Sequence, residues 1–223
     1  MIVASIALVQ CAHGPAPRGA TTAPPVTAAS AGGAPPAAAG ATVEPVNAAE
    51  LGASWRPGCP VGAGQLRRVT LTYLGFDGQA HRGDLIVHED LVPDVIAIFE
   101  SLYRIGYPVD KIRTVEKYPG ADDEASMEDD NTSGFNCRGI PGSGRWSQHA
   151  FGRAVDVNPR VNPCVYADGA FEPRNGAGYV DRGRTDAGML HAGDAAVRAF
   201  TDRGWRWGGG WVSPIDYQHF ERP

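Results

Sequence analysis

The sequence predicts an α+β fold in which a small antiparallel sheet is flanked by helices. Residues 65–74 alternate apolar and polar side chains, as a half-buried strand does, and residues 85–88 resume the pattern after a turn-forming cluster at 75–78. Residues 92–103 repeat apolar side chains at the spacing of an amphipathic helix. Strand and helix patterns do not alternate regularly along the chain, which argues against a parallel, doubly wound architecture.

The other elements are assigned in chain order. We expect Asp90 to cap the N-terminus of the first helix, because aspartate is a favoured capping residue. Residues 112–118 are predicted to form a further strand. A second helix is expected between residues 194 and 204, with Val197 and Phe200 on its buried face. These elements together predict a folded domain over residues 51–223.

The N-terminal part of the chain differs in composition from the rest. Of the 31 residues from Ala12 to Thr42, 28 are Ala, Pro, Gly, Ser or Thr. Such a segment has little apolar surface to offset the entropy lost on ordering, so we interpret residues 12–50 as a disordered linker. Residues 1–11 resemble the tail of a signal peptide without its basic start. They also resemble a lipoprotein signal in which Cys11 would be lipidated, although Gln10 fits that pattern poorly.

The composition of the chain excludes several classes of protein. Its 223 residues are 43% hydrophobic and 20% charged, which is enough for a folded core and rules out wholesale disorder. The formal charge of −5, from 20 basic and 25 acidic residues, argues against nucleic acid as a partner. The sequence has no run of about 18 apolar residues that would indicate a membrane-spanning helix.

One stretch, residues 145–158, contains a histidine and a carboxylate that a bend can bring together. His149 and Asp156 are separated by an odd number of positions, which puts them on opposite faces of a regular strand. The chain must therefore bend if the two are to converge. Gly152 lies between them and supplies the conformational freedom for that bend.

A second stretch, near the C-terminus, places Asp216 three residues before His219. Two neutral imidazoles and one carboxylate form a common three-ligand set for catalytic zinc, which leaves a fourth position for water. A further carboxylate nearby can act as general base on that water. Each pattern alone occurs by chance in many chains, so the evidence lies in their combination.

The combined pattern resembles one enzyme family. Residues 147–156 read S-x-H-x-x-G-x-A-x-D, and an acidic residue, two further residues and a histidine follow at 216–219. This arrangement closely resembles the D-alanyl-D-alanine carboxypeptidase family, zinc peptidases of the VanY and VanX type that include phage cell-wall endopeptidases. The resemblance extends over about residues 69–221 and includes blocks at 131–138 and 204–209. It implies a Hedgehog/D,D-peptidase-like zinc peptidase fold.

The resemblance also implies roles for individual residues. Asp216 matches the catalytic acid/base, and Arg138 matches the arginine that stabilises the scissile carbonyl as it becomes an oxyanion. Ser147 matches the motif serine, which would contact the substrate or support a ligand. One zinc ion per chain would be held by the residues that match the metal ligands, namely His149, Asp156 and His219.

The family resemblance implies a substrate and a location. The substrate would be the stem peptides of peptidoglycan, hydrolysed by a monomer outside the bacterial cytoplasm. The protein would be secreted or associated with the cell envelope, with membrane attachment only through lipidation of Cys11. The choice between carboxypeptidase and endopeptidase depends on loops around the cleft and stays open. The alternative is an inactive zinc-bearing module for wall binding or signalling, which would have little need of Asp216.

The remaining cysteines indicate one disulfide if the chain is exported. They lack the C-x-x-C spacing typical of a zinc site. Cys137 immediately precedes Arg138, where a covalent link would fix the approach of the arginine to the cleft. We expect Cys137 to pair with Cys59 rather than with Cys164, although spacing in the sequence does not determine connectivity.

Other conspicuous residues have a structural interpretation beside a functional one. The acidic run at 122–130 lacks the regular alternation of a calcium loop, so we interpret it as a solvated loop that borders the cleft. Three tryptophans near the C-terminus could stack on a sugar or a peptide, and we expect at least one in the core. They are Trp205, Trp207 and Trp211. Three histidines without ligand-like neighbours are expected at the surface. They are His81, His88 and His191.

Overall fold

The structure is a computed structural model that describes residues 40–223. Within this range the fold mixes small sheets with short helices. The helices are α1 (Ala48–Leu51), α2 (Val92–Arg104), α3 (Asp123–Glu128) and α4 (Ala195–Thr201). The strands are β1 (Thr42–Pro45), β2 (Leu66–Leu74), β3 (Ala80–His88), β4 (Lys111–Ile112), β5 (Asn131–Thr132), β6 (Ala154–Asp156), β7 (Cys164–Val165), β8 (Phe171–Glu172), β9 (Arg206–Trp207), β10 (Ile215–Asp216) and β11 (His219–Glu221).

The described strands form several small sheets rather than the single one expected. Three are antiparallel and three-stranded, in the orders β1-β2-β3, β10-β7-β8 and β6-β11-β9. The fourth is the short parallel pair β4-β5. The two C-terminal sheets position candidate site residues, because β6, β10 and β11 contain Asp156, Asp216 and His219.

The predicted β-hairpin is confirmed as β2 and β3. The two strands pair antiparallel along their full length, and the turn closes where the Gly75 N–H donates to the Gln79 carbonyl at 2.8 Å. β3 begins at Ala80, earlier than the predicted strand at 85–88. Its first half lies at the surface, so polar side chains hide the alternation there.

The folded chain begins before the predicted boundary at residue 51. β1 pairs antiparallel with β2 and extends the hairpin sheet. α1 follows, and the Asn47 side chain caps it by accepting hydrogen bonds from two backbone N–H groups. Residues 42–50, which the sequence assigned to the linker, are therefore part of the ordered structure. The predicted segments over residues 1–39 lie outside the described residues.

α2 buries the apolar face that its sequence spacing predicts, but its start differs from the expectation. Asp90 is not the N-cap, which is Leu91 and makes no side-chain bond. The Asp90 carboxylate instead accepts hydrogen bonds from Arg153 at 2.8 and 2.9 Å and lies 2.6 Å from His88 Nδ1. The prediction is wrong because partners distant in sequence occupy the carboxylate.

The strand predicted over residues 112–118 is limited to β4. The Asn131 side chain ends the ladder by accepting from the Arg113 N–H at 2.8 Å and donating to the Arg113 carbonyl at 2.9 Å. A 3₁₀ turn then occupies Val115–Lys117. The apolar residues of this segment are buried from a turn rather than from a strand, which the sequence pattern does not distinguish.

The main core lies between the hairpin, α2, α4 and the β6-β11-β9 sheet. α4 confirms the second predicted helix and is shorter than expected, with Val197 and Phe200 buried. Phe200 stacks on Phe220 of β11 with ring centroids 3.8 Å apart, and its edge meets Trp205. This aromatic packing fixes β11, and therefore His219, against the core.

The predicted disulfide between Cys59 and Cys137 is present, and Cys164 is a buried free thiol. A disulfide fits a protein that folds in an oxidising compartment. Across residues 40–223, every helix is too short or too polar to cross a membrane.

Candidate metal centre

Strand pairing brings Asp156 beside His219. β6 and β11 are antiparallel, with these two residues directly opposite each other, so their side chains project from the same face. His219 Nδ1 lies 3.0 Å from Asp156 Oδ1. Both residues are buried.

A turn delivers the second histidine to the same point. Ser147 starts a 3₁₀ turn at Gln148–Phe151 by accepting the His149 N–H at 3.3 Å, and Gly152 ends it with φ +67°. His149 Nε2 lies 3.0 Å from Asp156 Oδ2 and 3.2 Å from His219 Nδ1. The bend expected at Gly152 therefore brings the motif histidine and aspartate together. One ligand atom from each of the three residues lies within 4.8 Å of the others.

The outer ring nitrogens have partners that orient the inner ones. His149 Nδ1–H donates to the Gly134 carbonyl at 2.6 Å. On the other ring, His219 Nε2 lies 3.4 Å from Glu221 Oε2. With protons on these outer nitrogens, the lone pairs of His149 Nε2 and His219 Nδ1 face the centre. Such hydrogen bonds fix the tautomer of histidines that bind metals.

The charge balance of the centre favours a cation. Burial alone would raise the pKa of Asp156, but the adjacent His149 and His219 hold it far below its usual range. Burial disfavours protonated His219, yet hydrogen bonds to Asp156 and Glu221 raise its pKa to about 10. A metal ion can replace that proton between the same groups. The three residues could therefore hold a metal ion, and two neutral imidazoles with a carboxylate are one of the ligand sets found in catalytic zinc sites.

Asp216 approaches the centre from the neighbouring sheet. It lies on β10 directly opposite Cys164 of β7. The residue is half-buried, and its Oδ1 is shielded from solvent without a hydrogen-bond partner among the described residues. Burial raises the pKa of Asp216 to about 6. A carboxylate with these properties can accept a proton near neutral pH.

Gly208 allows the chain to pass close to Asp216 and His219. A Cβ atom at this position would lie 2.7 Å from the Asp216 carbonyl oxygen and 3.4 Å from His219 Cβ. Glycine is therefore required at this approach. Trp211, three residues further on, lies against His219 with ring centroids 5.3 Å apart.

Arg138 lies on the approach to the same centre. Its pKa is raised because neighbouring carboxylates outweigh the effect of burial. Those carboxylates are Asp123, Asp156 and Asp216. Asp123 is the direct partner, with its Oδ2 2.9 Å from Arg138 Nη2. The exposed segment that follows Arg138 turns back so that the Ser147 N–H donates to the Arg138 carbonyl at 3.1 Å.

The other sequence candidates have structural roles. The acidic run is not a solvated loop, because it forms α3 and makes ion pairs with Lys111, Arg138 and Arg160.

Trp205 is in the core as expected. His81 and His88 each pair with a nearby aspartate and are only partly exposed. Ser147 is buried, and its hydroxyl supports the turn that positions His149.

Three contributors to the site were missed by sequence reasoning. Glu221 is two residues after His219 on a strand, a spacing that puts both on one face and could have revealed it. Gly134 and Asp123 lie in segments that the sequence analysis singled out, but their contacts with His149 and Arg138 depend on tertiary packing and no local pattern identifies them.

Comparison with known proteins bears on this geometry. Residues 141–222 match the family model of D-alanyl-D-alanine carboxypeptidase. This segment is therefore similar to the D-alanyl-D-alanine carboxypeptidase family. The matched segment includes Ser147, Asp216 and the His-Asp-His group, whereas Arg138 lies just before it. Comparisons with curated proteins and with solved structures gave no match. The family match supports a peptidase.

Proposed function

We propose that this protein is a zinc-dependent peptidase that hydrolyses the stem peptides of peptidoglycan. The observation that supports this proposal most is the arrangement of four side chains. Two imidazole lone pairs and the Asp156 carboxylate converge within 4.8 Å, beside the shielded and unpartnered oxygen of Asp216. The Hedgehog/D,D-peptidase-like fold, the extracytoplasmic location and the monomeric state belong to the same proposal.

The proposed zinc ligands are His149 Nε2, His219 Nδ1 and the Asp156 carboxylate. Zinc in such a set lowers the pKa of a water ligand to roughly 7 and polarises a carbonyl oxygen. Gly134 and Glu221 keep the two imidazoles in the required tautomer. The ligands must be free of protons, so binding weakens as pH falls through the histidine range.

Asp216 and Arg138 divide the remaining chemistry. As water attacks the peptide carbon, Asp216 takes its proton and then transfers it to the leaving nitrogen when the C–N bond breaks. Arg138 offers N–H donors to the carbonyl oxygen as negative charge develops there. An arginine stays charged throughout this cycle. The alternative of an inactive zinc-bearing module leaves Asp216 without a role.

Digestion of purified peptidoglycan by the zinc-loaded full chain tests the proposal. Mass analysis of the released fragments should show cleavage in the stem peptides, and the scissile bond distinguishes a carboxypeptidase from an endopeptidase. Treatment with a chelator should stop release, and added zinc should restore it. Intact stem peptides after digestion with zinc-loaded protein would refute the proposed activity.

A further inference from the structure

The guanidinium of Arg138 is held by one carboxylate of the acidic segment. Asp123 Oδ2 lies 2.9 Å from Arg138 Nη2, and the two side chains are only 28% and 30% exposed. Among residues 40–223, Asp123 is the acceptor that we find for this guanidinium, whose Nε is buried without a partner. A partly buried, charge-assisted bond of this length is among the stronger polar contacts in proteins.

Asp123 is itself fixed in place. It is the first residue of α3, and the preceding Asp122 caps this helix by accepting the Ala125 N–H at 2.7 Å. The Asn136 side-chain amide lies 3.4 Å from Asp123 Oδ1. The carboxylate is therefore a fixed point rather than a mobile surface group.

The backbone of Arg138 is restrained independently of its side chain. The adjacent Cys137 is tied to Cys59 by the disulfide, and its carbonyl accepts a hydrogen bond from Arg56 Nη1 at 2.6 Å. These contacts fix where the side chain begins, while Asp123 fixes where it ends. A long arginine side chain otherwise loses considerable rotamer entropy when it adopts one orientation.

We infer that Asp123 is a positioning residue for Arg138, an inference that rests on the proposed function. The charges of Asp216 and Asp156 also attract the Arg138 guanidinium. The direct contact with Asp123 competes with that attraction, so that Arg138 remains available to the substrate carbonyl and does not neutralise the base. Asp123 is not one of the proposed zinc ligands and acts through its contact with Arg138.

The test compares Asp123→Asn with Asp122→Asn in the full chain. Both variants remove one carboxylate from the same turn, and asparagine keeps the capping function at position 122. We expect Asp123→Asn to lower kcat about tenfold or more with little change in KM, while Asp122→Asn resembles the parent. Equal kcat in the two variants would overturn the inference. Zinc content and thermal unfolding, unchanged in both, show that folding and the metal centre are intact.

A double-variant cycle separates positioning from an independent effect. Removal of an oxyanion-stabilising donor typically costs about 10²-fold or more, so Arg138→Ala should fall by that amount. Adding Asp123→Asn to Arg138→Ala should cause no further loss, because the residue to be positioned is absent. If Asp123→Asn lowers kcat as much in the Arg138→Ala background as in the parent protein, Asp123 does not act through Arg138.

Chemical modification tests the pairing without relying on activity. Phenylglyoxal reacts with accessible guanidinium groups, and peptide mass analysis reports the modified fraction at Arg138. We expect modification in Asp123→Asn to be several-fold faster than in Asp122→Asn. Equal rates would refute the pairing even if the protein hydrolyses peptidoglycan. Faster modification would support it even if the proposed peptidase activity fails.

Discussion

Asp216 combines partial burial with a carboxylate oxygen that has no hydrogen-bond partner in the described structure. Burial raises its pKa because the charged form loses solvation. A structural aspartate at this depth would normally have partners for its oxygens. The unpartnered oxygen therefore supports the proposal that Asp216 acts as a general base.

Asp216→Asn should lose at least about 10²-fold in kcat while zinc content and folding stay unchanged. Asparagine has nearly the same shape but cannot take a proton at neutral pH. Substrate affinity should change much less, because the lost step belongs to the transition state. Turnover and zinc should be measured on the same sample. Parental turnover would end the proposed mechanism, and loss of zinc would make Asp216 a metal ligand.

The pH dependence of kcat/KM should show an acidic limb from Asp216. The base must be ionised, so activity falls about tenfold per pH unit below its pKa. Burial sets that pKa at about 6, and a bound cation lowers it, since opposite charge favours the carboxylate. The limb should therefore begin at or below about pH 6. A decline that already begins above pH 7, with zinc retained, would contradict this assignment.

At the scale of residues, sequence reasoning identified the convergent groups but not their supports. His149, Asp156 and His219 were predictable because their motif spacing resembles that of a known family. Glu221 and Asp123 were missed, since a carboxylate that orients an imidazole or a guanidinium looks like any surface acid in the sequence. Such contacts become visible only when the sheets and α3 are placed.

Among the structural elements, the turn at residues 148–152 depends on the left-handed backbone conformation of Gly152. Gly152 has φ +67°, and its carbonyl accepts the His88 N–H at 2.9 Å. A Cβ atom there would lie 2.7 Å from His88 N and 2.8 Å from Leu66 Cδ2. The turn that presents His149 is thus packed directly on the hairpin.

Gly152→Ala should lower the free energy of unfolding by roughly 2 kcal/mol or more, because the left-handed conformation costs an L-residue about 1–2 kcal/mol before any clash. Gly169→Ala is a matched control, since Gly169 has φ +85° but a Cβ atom added there would meet no heavy atom within 4 Å. Urea unfolding measures both. Equal destabilisation in the two variants would show that the close approach to the hairpin adds nothing.

The predicted helices and strands are confirmed where buried side chains recur at a regular spacing. The predictions are wrong where a residue's hydrogen-bond partners lie far along the chain. In the hairpin and in α2, apolar side chains repeat over many residues because one face of each element is buried. The strand predicted at 112–118 failed because the Asn131 side chain and a 3₁₀ turn replace the sheet pairing there. The prediction that Asp90 caps α2 is wrong because its carboxylate binds Arg153, which lies far along the chain.

In the whole molecule, the disulfide links the segment before the hairpin to the residue that precedes Arg138. It joins positions separated by 78 residues, and closing a loop of that size restricts the unfolded chain substantially. The same link lies within a secondary apolar cluster that includes Leu51, Leu66 and Phe135. Stability and the placement of Arg138 are therefore coupled.

Replacing both Cys59 and Cys137 with serine should cost about 2–5 kcal/mol of unfolding free energy, the usual range for a native disulfide. A reducing agent should destabilise the parent protein by a similar amount and leave the double variant unaffected. Urea unfolding with and without reductant measures this. A parent protein insensitive to complete reduction, checked by thiol titration, would contradict the stabilising role.

In the proposed function, His149, Asp156 and His219 form the zinc centre of a peptidase. Metal analysis of the purified full chain and of His149→Ala, after identical dialysis against zinc and then against metal-free buffer, tests it most directly. We expect one equivalent of tightly held zinc per parent chain and little or none in the variant, with both proteins folded. A full equivalent of tightly held zinc in His149→Ala, or none in the folded parent, would contradict it.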